Sequence, residues 1–386
     1  MNSLVHLKTL WLRILLLCGI AVLGACSMFS SKDPRFEPTP LEEYEAGLSV
    51  ATRWTASIGS GAGYGFIPYV EGQSVYTASA SGQVTRVDLA TGRVQWSANV
   101  GQRLSAGVGT DGQVVAVAAP DGTVIALDAD GKELWRNKAS SEVNVPPTVG
   151  AGVVIVRSSD YRVQAFDAHD GEPLWNIQRP GPALALKTNM QMDLLDDMLL
   201  TGMPNGRLLL IYAPTGELQW EGLVSQSYGA TDLERISDVV GTPLLAGPLL
   251  CAASYQGRIV CFDMSAQGEP VWAQDFSTSR GIGLNNQMVY AANTRDVVHA
   301  FELETGHQVW TQDALRNRQL TAPAVYSHIV AVGDFEGYLH FLAPHDGHQM
   351  ARIRVGSNPI ISQPVAIEDG VLVQTQNGQL VMVDVN

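Results

Sequence analysis

The chain has 386 residues, of which 46% are hydrophobic and 16% charged, and its formal net charge is −14. This aliphatic, glycine-rich composition excludes a disordered chain over most of its length. The acidic excess excludes nucleic acid as a partner, because phosphate binding needs clustered positive charge.

Residues 1–25 carry Lys8 and Arg13, then ten apolar residues from Ile14 to Leu23, then Gly24 and Ala25 before Cys26. Such a run is too short for a hydrocarbon core, which needs about 20 residues, so the segment reads as a signal peptide. Small residues ahead of a thiol nucleophile resemble the lipobox of bacterial lipoproteins. That resemblance implies cleavage before Cys26 and acyl chains on it, enough for stable anchoring to a membrane. Ser27, where an Asp would retain such a protein at the inner membrane, implies sorting to the outer membrane, facing the periplasm. Cleavage leaves 22 basic against 38 acidic side chains, or −16, an excess read as solubility.

Residues 26–50 are expected to be the lipidated Cys26 and a flexible acidic tether. They contain Pro34, Pro38 and Pro40 and five acids, without an apolar period. As a coil the tether would span roughly 25–30 Å.

From residue 51 to 386 the chain repeats. Trp54, Trp96, Trp135, Trp175, Trp220, Trp272 and Trp310 form a column, with Ala351 at the eighth beat, at gaps of 42, 39, 40, 45, 52, 38 and 41 residues. A four-stranded propeller blade takes about 40–45. Within each repeat an apolar strand, a polar turn, an alternating strand ending near Asp and a glycine turn precede the tryptophan. Val75 to Ala78, Ser81-Gly82, Val84 to Asp88 and Ala90-Thr91-Gly92 before Trp96 give the pattern, which is that of antiparallel strands. Gly92, Gly131, Gly171, Gly216, Gly268, Gly306 and Gly347 each lie four residues before the column, as a hairpin with one positive-φ position requires. At Ala351 the large side chain is missing, and the adjoining seam is expected to be the loosest.

The last repeat ends after Leu380 to Asp384 without an outer strand, whereas Thr52 to Ile58 form an outer strand with nothing upstream to pair with. Each end supplies what the other lacks. The expected fold is therefore all-β: an eight-bladed β-propeller with four antiparallel strands per blade, the N-terminal strand closing the last. A seven-bladed ring with an extra hairpin is the alternative. Cys251 and Cys261 flank the turn Tyr255-Gln256-Gly257 and face each other across a hairpin, either as two buried thiols or as a disulfide. Two intervals are expanded, around Pro180 to Lys187 and around Ser225 to Thr242, and projecting loops on a rigid ring are where binding resides.

No nucleophile elbow, phosphate loop or zinc-protease helix occurs. His345-Asp346-Gly347-His348 falls in the same turn as Ala129-Asp130-Gly131 and is explained by turn chemistry rather than by a metal. Asp88, Asp128, Asp167, Asp263 and Asp384 recur at one strand position and are read as turn-capping carboxylates. Neither an enzyme activity nor a cofactor has positive support.

The units Asp88-Leu89-Ala90-Thr91-Gly92-Arg93-Val94-Gln95-Trp96 and Glu302 to Trp310 are similar to the tryptophan-docking repeat of pyrroloquinoline quinone propellers. The quinoprotein dehydrogenases carry it with a vicinal cysteine pair, which this sequence lacks. Lipobox, acidic tether, eight repeats, Arg235-Ile236-Ser237-Asp238-Val239 and Val332-Gly333-Asp334-Phe335-Glu336-Gly337-Tyr338-Leu339-His340 together resemble the BamB family of outer-membrane β-barrel assembly lipoproteins. That resemblance implies a non-catalytic scaffold that binds the periplasmic polypeptide-transport-associated domains of BamA, with nascent outer-membrane β-barrel proteins as a further candidate partner. The family's binding residues map onto Leu184, Leu186 and Lys187, and onto an Arg235/Asp238 pair. Its basic position is usually Arg, so Lys187 loses bidentate geometry, and a second acid of the family is Val240 here. Reversing the charge at Asp238 is expected to weaken capture of BamA without shifting the melting temperature. Against this stands the simpler reading that the leucines fold back onto the ring. The rivals in function are a quinone-dependent periplasmic dehydrogenase and a generic cell-envelope binding propeller.

Overall fold

The structure, a computed structural model, describes residues 33–59, 63–326, 328–368 and 370–386. Cys26 and the signal peptide lie outside them. Eight four-stranded antiparallel sheets follow one another along the chain. The first blade comprises strands Tyr69–Glu71, Ser74–Ala78, Gln83–Asp88 and Val94–Asn99. Blades two to seven repeat it over 106–138, 148–178, 193–223, 239–276, 282–312 and 324–354.

The eighth blade takes three strands from the C-terminus and its outer strand from the N-terminus. Val50–Ser57 pairs antiparallel with Gln379–Val385, from Val50 opposite Val385 to Ser57 opposite Gln379. The ring is thus closed by hydrogen bonds between the chain's two ends, reinforced by an ion pair of Arg53 with Asp384. Eight blades, not seven, hold the sequence.

Blades bury their second strand almost throughout, which is why Val114–Ala118 reads as a continuous apolar run and Val153–Arg157 as one up to its arginine. Outer strands alternate instead, with one face in water. The core is not a single mass. Its hydrophobic clusters lie at the seams: Tyr76 packs with Val115 between the first and second blades, and Ala116 with Val154 between the second and third. The series runs round to Val75 with Leu372, between the first blade and the eighth.

One device repeats in every outer strand. In the first blade Arg86 faces Trp96 but Val87 faces Val94, so one residue is skipped before the tryptophan. The same shift precedes Trp54, Trp135, Trp175, Trp220, Trp272, Trp310 and Ala351. A β-bulge re-aims the side chain that follows it. Here it turns the indole from its own blade onto the next, where Nε1 of Trp54 donates to Leu89 O at 2.9 Å and that of Trp96 to Ala129 O at 2.7 Å. The skipped residues Leu134, Leu174, Val271 and Val309 are left exposed.

One expectation needs correction. The seam at Ala351 is not bare: Leu48 and Val50 pack with Ala351, Ile360 and Val371, and Gly47 N donates to Met350 O at 2.9 Å. Residues from Leu41 onward therefore belong to the propeller body, although their sparse apolar residues gave no period in the sequence. Arg352 holds them further, through Glu42 O and the Tyr44 ring. Of the two states open to Cys251 and Cys261, paired directly in the hairpin, the structure takes the disulfide.

Candidate functional site

The two expanded intervals become two loops on one face of the ring. The first, 179–192, connects blades three and four. Its entrance is clamped by Tyr161, whose ring lies against Gly181 and whose hydroxyl donates to Pro182 O at 2.7 Å. Its exit is pinned by Thr188 Oγ1, donating to Ser279 O at 2.5 Å, and by Asn189 Nδ2, donating to Ile361 O. Ile361 lies on the connection between blades seven and eight, four blades away. In a ring of eight those connections are opposite, so the exit of the loop and the connection between blades seven and eight meet across the ring.

Between these anchors the loop exposes its side chains unequally. Leu184 is 43% exposed, whereas Leu186 is half-buried against the cluster of Ile155, Leu199 and Leu209. Each of the two readings of the leucines therefore holds for one of them. Lys187 is exposed and its Nζ lies 3.2 Å from Glu142 Oε1.

The second loop, 225–238, connects blades four and five and builds its own tip. Glu234 Oε2 accepts from the amides of Ala230 and Thr231 at 2.8 and 3.0 Å, and Glu234 N donates to Thr231 Oγ1 at 3.3 Å. This reciprocal capping holds Tyr228 and Leu233 out in water, 68% and 67% exposed. Arg235 is exposed and donates through Nε to Gly229 O at 3.0 Å.

Asp238 is not in reach of solvent. It is 0% exposed and accepts a hydrogen bond from Leu186 N, so it joins the two loops from beneath. The expected Arg235/Asp238 pair does not form. Burial pushes the Asp238 carboxyl up to about 6, against the opposing pull of the Leu186 amide and the Arg157 guanidinium. Arg157 is itself 6% exposed, donates to Gly202 O and Met190 Sδ, and is lowered by burial to about 10. A charge reversal at Asp238 would thus place a second cation beside Arg157 in the interior. The expectation that the melting temperature would stay unchanged is incompatible with that burial.

Sequence reasoning missed Arg157, Thr188 and Asn189 as loop anchors, and Tyr228 and Leu233 as exposed apolar groups. Arg157 had a signal, since a cation ending the apolar strand Val-Val-Ile-Val-Arg must find partners when buried. Four of the five recurring acids cap turns as expected, with Thr91 N donating to Asp88, Lys132 N to Asp128, His169 N to Asp167 and Ser265 N to Asp263, whereas Asp384 lies within the last strand and pairs with Arg53 instead. Asp346 likewise accepts from His348 N at 3.2 Å.

A family model described as outer membrane protein assembly factor BamB matches residues 80–312 and 298–386. The outer membrane protein assembly factor BamB of Bordetella pertussis is 53% identical over 376 residues, 97% of each chain. Among solved structures, BamB from Moraxella catarrhalis is similar with a TM-score of 0.80 at 24% identity, covering 87% of this chain and all of that one. A quinohemoprotein alcohol dehydrogenase from Pseudomonas putida is similar in fold, with a TM-score of 0.67 at 13% identity over 87% of this chain and 76% of that one. On the family model and the identity to its curated members, the chain belongs to the family of the outer membrane protein assembly factor BamB.

Proposed function

We propose that this chain is a non-catalytic scaffold of the outer-membrane β-barrel assembly machinery, lipid-anchored through Cys26 and binding the periplasmic domains of BamA with the 182–187 and 226–235 loops. The role in outer-membrane protein assembly follows from relatives named for it that span nearly the whole chain. One observation carries the choice of surface: Leu184, Tyr228 and Leu233 are held exposed on two loops that share a buried anchor. Large apolar side chains preset at a surface serve as interface anchors, with Lys187 and Arg235 at the rim setting orientation. The likeness to the quinoprotein dehydrogenase is one of fold and brings no quinone chemistry with it.

The test uses the full-length lipoprotein in its own envelope. Leu184→Asp combined with Leu233→Asp should abolish co-purification of BamA from detergent-solubilised envelopes while leaving the melting temperature within about 2 °C, as for surface changes. Undiminished co-purification would reject the surface. Cys26→Ser should move the protein from the membrane to the soluble periplasmic fraction.

A further inference from the structure

The 182–187 segment is packed beneath only in part. A cavity of about 200 Å³ lies under it, walled by Tyr161, Arg157, Met190, Val145 and Asn144, with Leu186 as part of its roof. Beside such a void the packing of Leu186 against Ile155, Leu199 and Leu209 fixes the loop only in part, so its shape depends also on point attachments. At its ends these are Tyr161 to Pro182 O and Thr188 to Ser279 O. In its middle it is the Leu186 amide on the Asp238 carboxylate.

We propose that Asp238 is a positioning residue that never touches the partner: its buried carboxylate holds Leu186 N and so presets Leu184 and Lys187 for binding. The inference rests on the reading of this loop as the partner surface. It accounts for why an acid is kept in a fully buried position where a neutral side chain would be easier to bury. Hydrogen bonds to a charged acceptor are roughly twice as strong as neutral ones, so the hold on the loop is strongest when Asp238 is ionised.

The groups facing Asp238 are few. Arg157 approaches from the second strand of the third blade and Tyr161 from the turn beside it, and burial raises the Tyr161 hydroxyl and leaves Arg157 at about 10. Both keep one charge state between pH 5 and 8. On the loops themselves Lys187 is paired with Glu142 and Arg235 with a backbone carbonyl. Asp238 is thus the group in this cluster whose charge changes in that range.

Two measurements on the full-length protein test the proposal. In the free protein, exchange of the Leu186 amide should be slow at pH 7.5 and, after correction for intrinsic rate, about tenfold less protected at pH 5, as for loss of one charge-assisted bond. Asp238→Asn keeps an oxygen acceptor without a titrating group, so its protection should not change with pH. Binding to full-length BamA in detergent should weaken in parallel, about tenfold for the native protein between pH 7.5 and 5, whereas D238N, a neutral acceptor at every pH, should bind at both pH values as weakly as the native protein does at pH 5. An unprotected Leu186 amide, or identical pH profiles for native protein and D238N, would overturn the proposal. Failure of the native protein to bind BamA at any pH would instead defeat the partner assignment, leaving amide exchange to decide the role of Asp238.

Discussion

The indole of Trp54 lies flat on Gly92: a Cβ built on that glycine would come within 2.6 Å of the ring. The glycine belongs to the turn of the first blade and the tryptophan to the outer strand of the eighth. Gly131 with Trp96, Gly171 with Trp135 and Gly306 with Trp272 repeat the contact round the ring. The regular spacing in the sequence thus has two causes, a backbone φ of +70° at Gly92 and a neighbour that leaves no room for a methyl group.

These causes separate by mutation. Gly72 also has a positive φ, of +56°, but nothing within 4 Å of a built Cβ. Gly72→Ala should cost about 1 kcal/mol, the conformational part. Gly92→Ala adds a clash with a buried ring and should cost about 2–4 kcal/mol. Urea unfolding of the two variants measures the difference, and equal midpoints would show that the indole contact contributes nothing.

The seam between blades seven and eight yields a prediction opposite to the one the sequence suggests. If Ala351 were merely a lost tryptophan, restoring it would stabilise the ring. Yet Ala351 is 2% exposed, and Leu48 and Val50 already fill its surroundings. Ala351→Trp should therefore destabilise by about 1–3 kcal/mol through overpacking. Leu48→Ala should destabilise as well, by about 1–2 kcal/mol for a half-buried leucine. A higher urea midpoint for A351W would refute the claim that the N-terminal segment replaces the indole.

What could be read in the sequence was what repeats. Glycine turns, tryptophans and capping aspartates recur because each blade solves the same local problem, and the unpaired Thr52 to Ile58 strand revealed the closure. What could not be read depends on contacts without local period. Asn189 meets Ile361 across 172 positions, and Leu41 and Leu48 are too sparse to mark 41–50 as part of the body. Asp238 follows Arg235 closely in sequence, and only the inward turn of Ile236 and Ser237 separates a buried acid from an exposed base.

The disulfide cross-links neighbouring strands at a sequence separation of 10. Loop-closure entropy for so short a span gives about 3 kcal/mol at most, and the hairpin is already held by its ladder. Reduction should lower the urea midpoint modestly without breaking cooperativity, and Cys251→Ala with Cys261→Ala should reproduce the reduced protein. Complete unfolding by reductant alone would contradict a merely reinforcing role.

The buried carboxyl gives the stability curve a definite sign. Asp238 is raised from 3.8 to about 6, so between those values the folded protein holds a proton that the unfolded chain has released. Stability then falls as pH rises from about 4 to about 6 and levels off above, by up to about 3 kcal/mol. Asp238→Asn removes that titration and supplies a reference whose neutral side chain does not change charge with pH. The stability of the native protein relative to D238N should therefore fall across this range and be flat from pH 7 to 8, by chemical denaturation at each pH. A difference that rises with pH would mean that Asp238 is held ionised by a strong partner, and that Arg157 outweighs burial. Asp238→Lys should be severely destabilised at every pH, by about 3–5 kcal/mol, because it sets an unpaired cation beside a buried guanidinium.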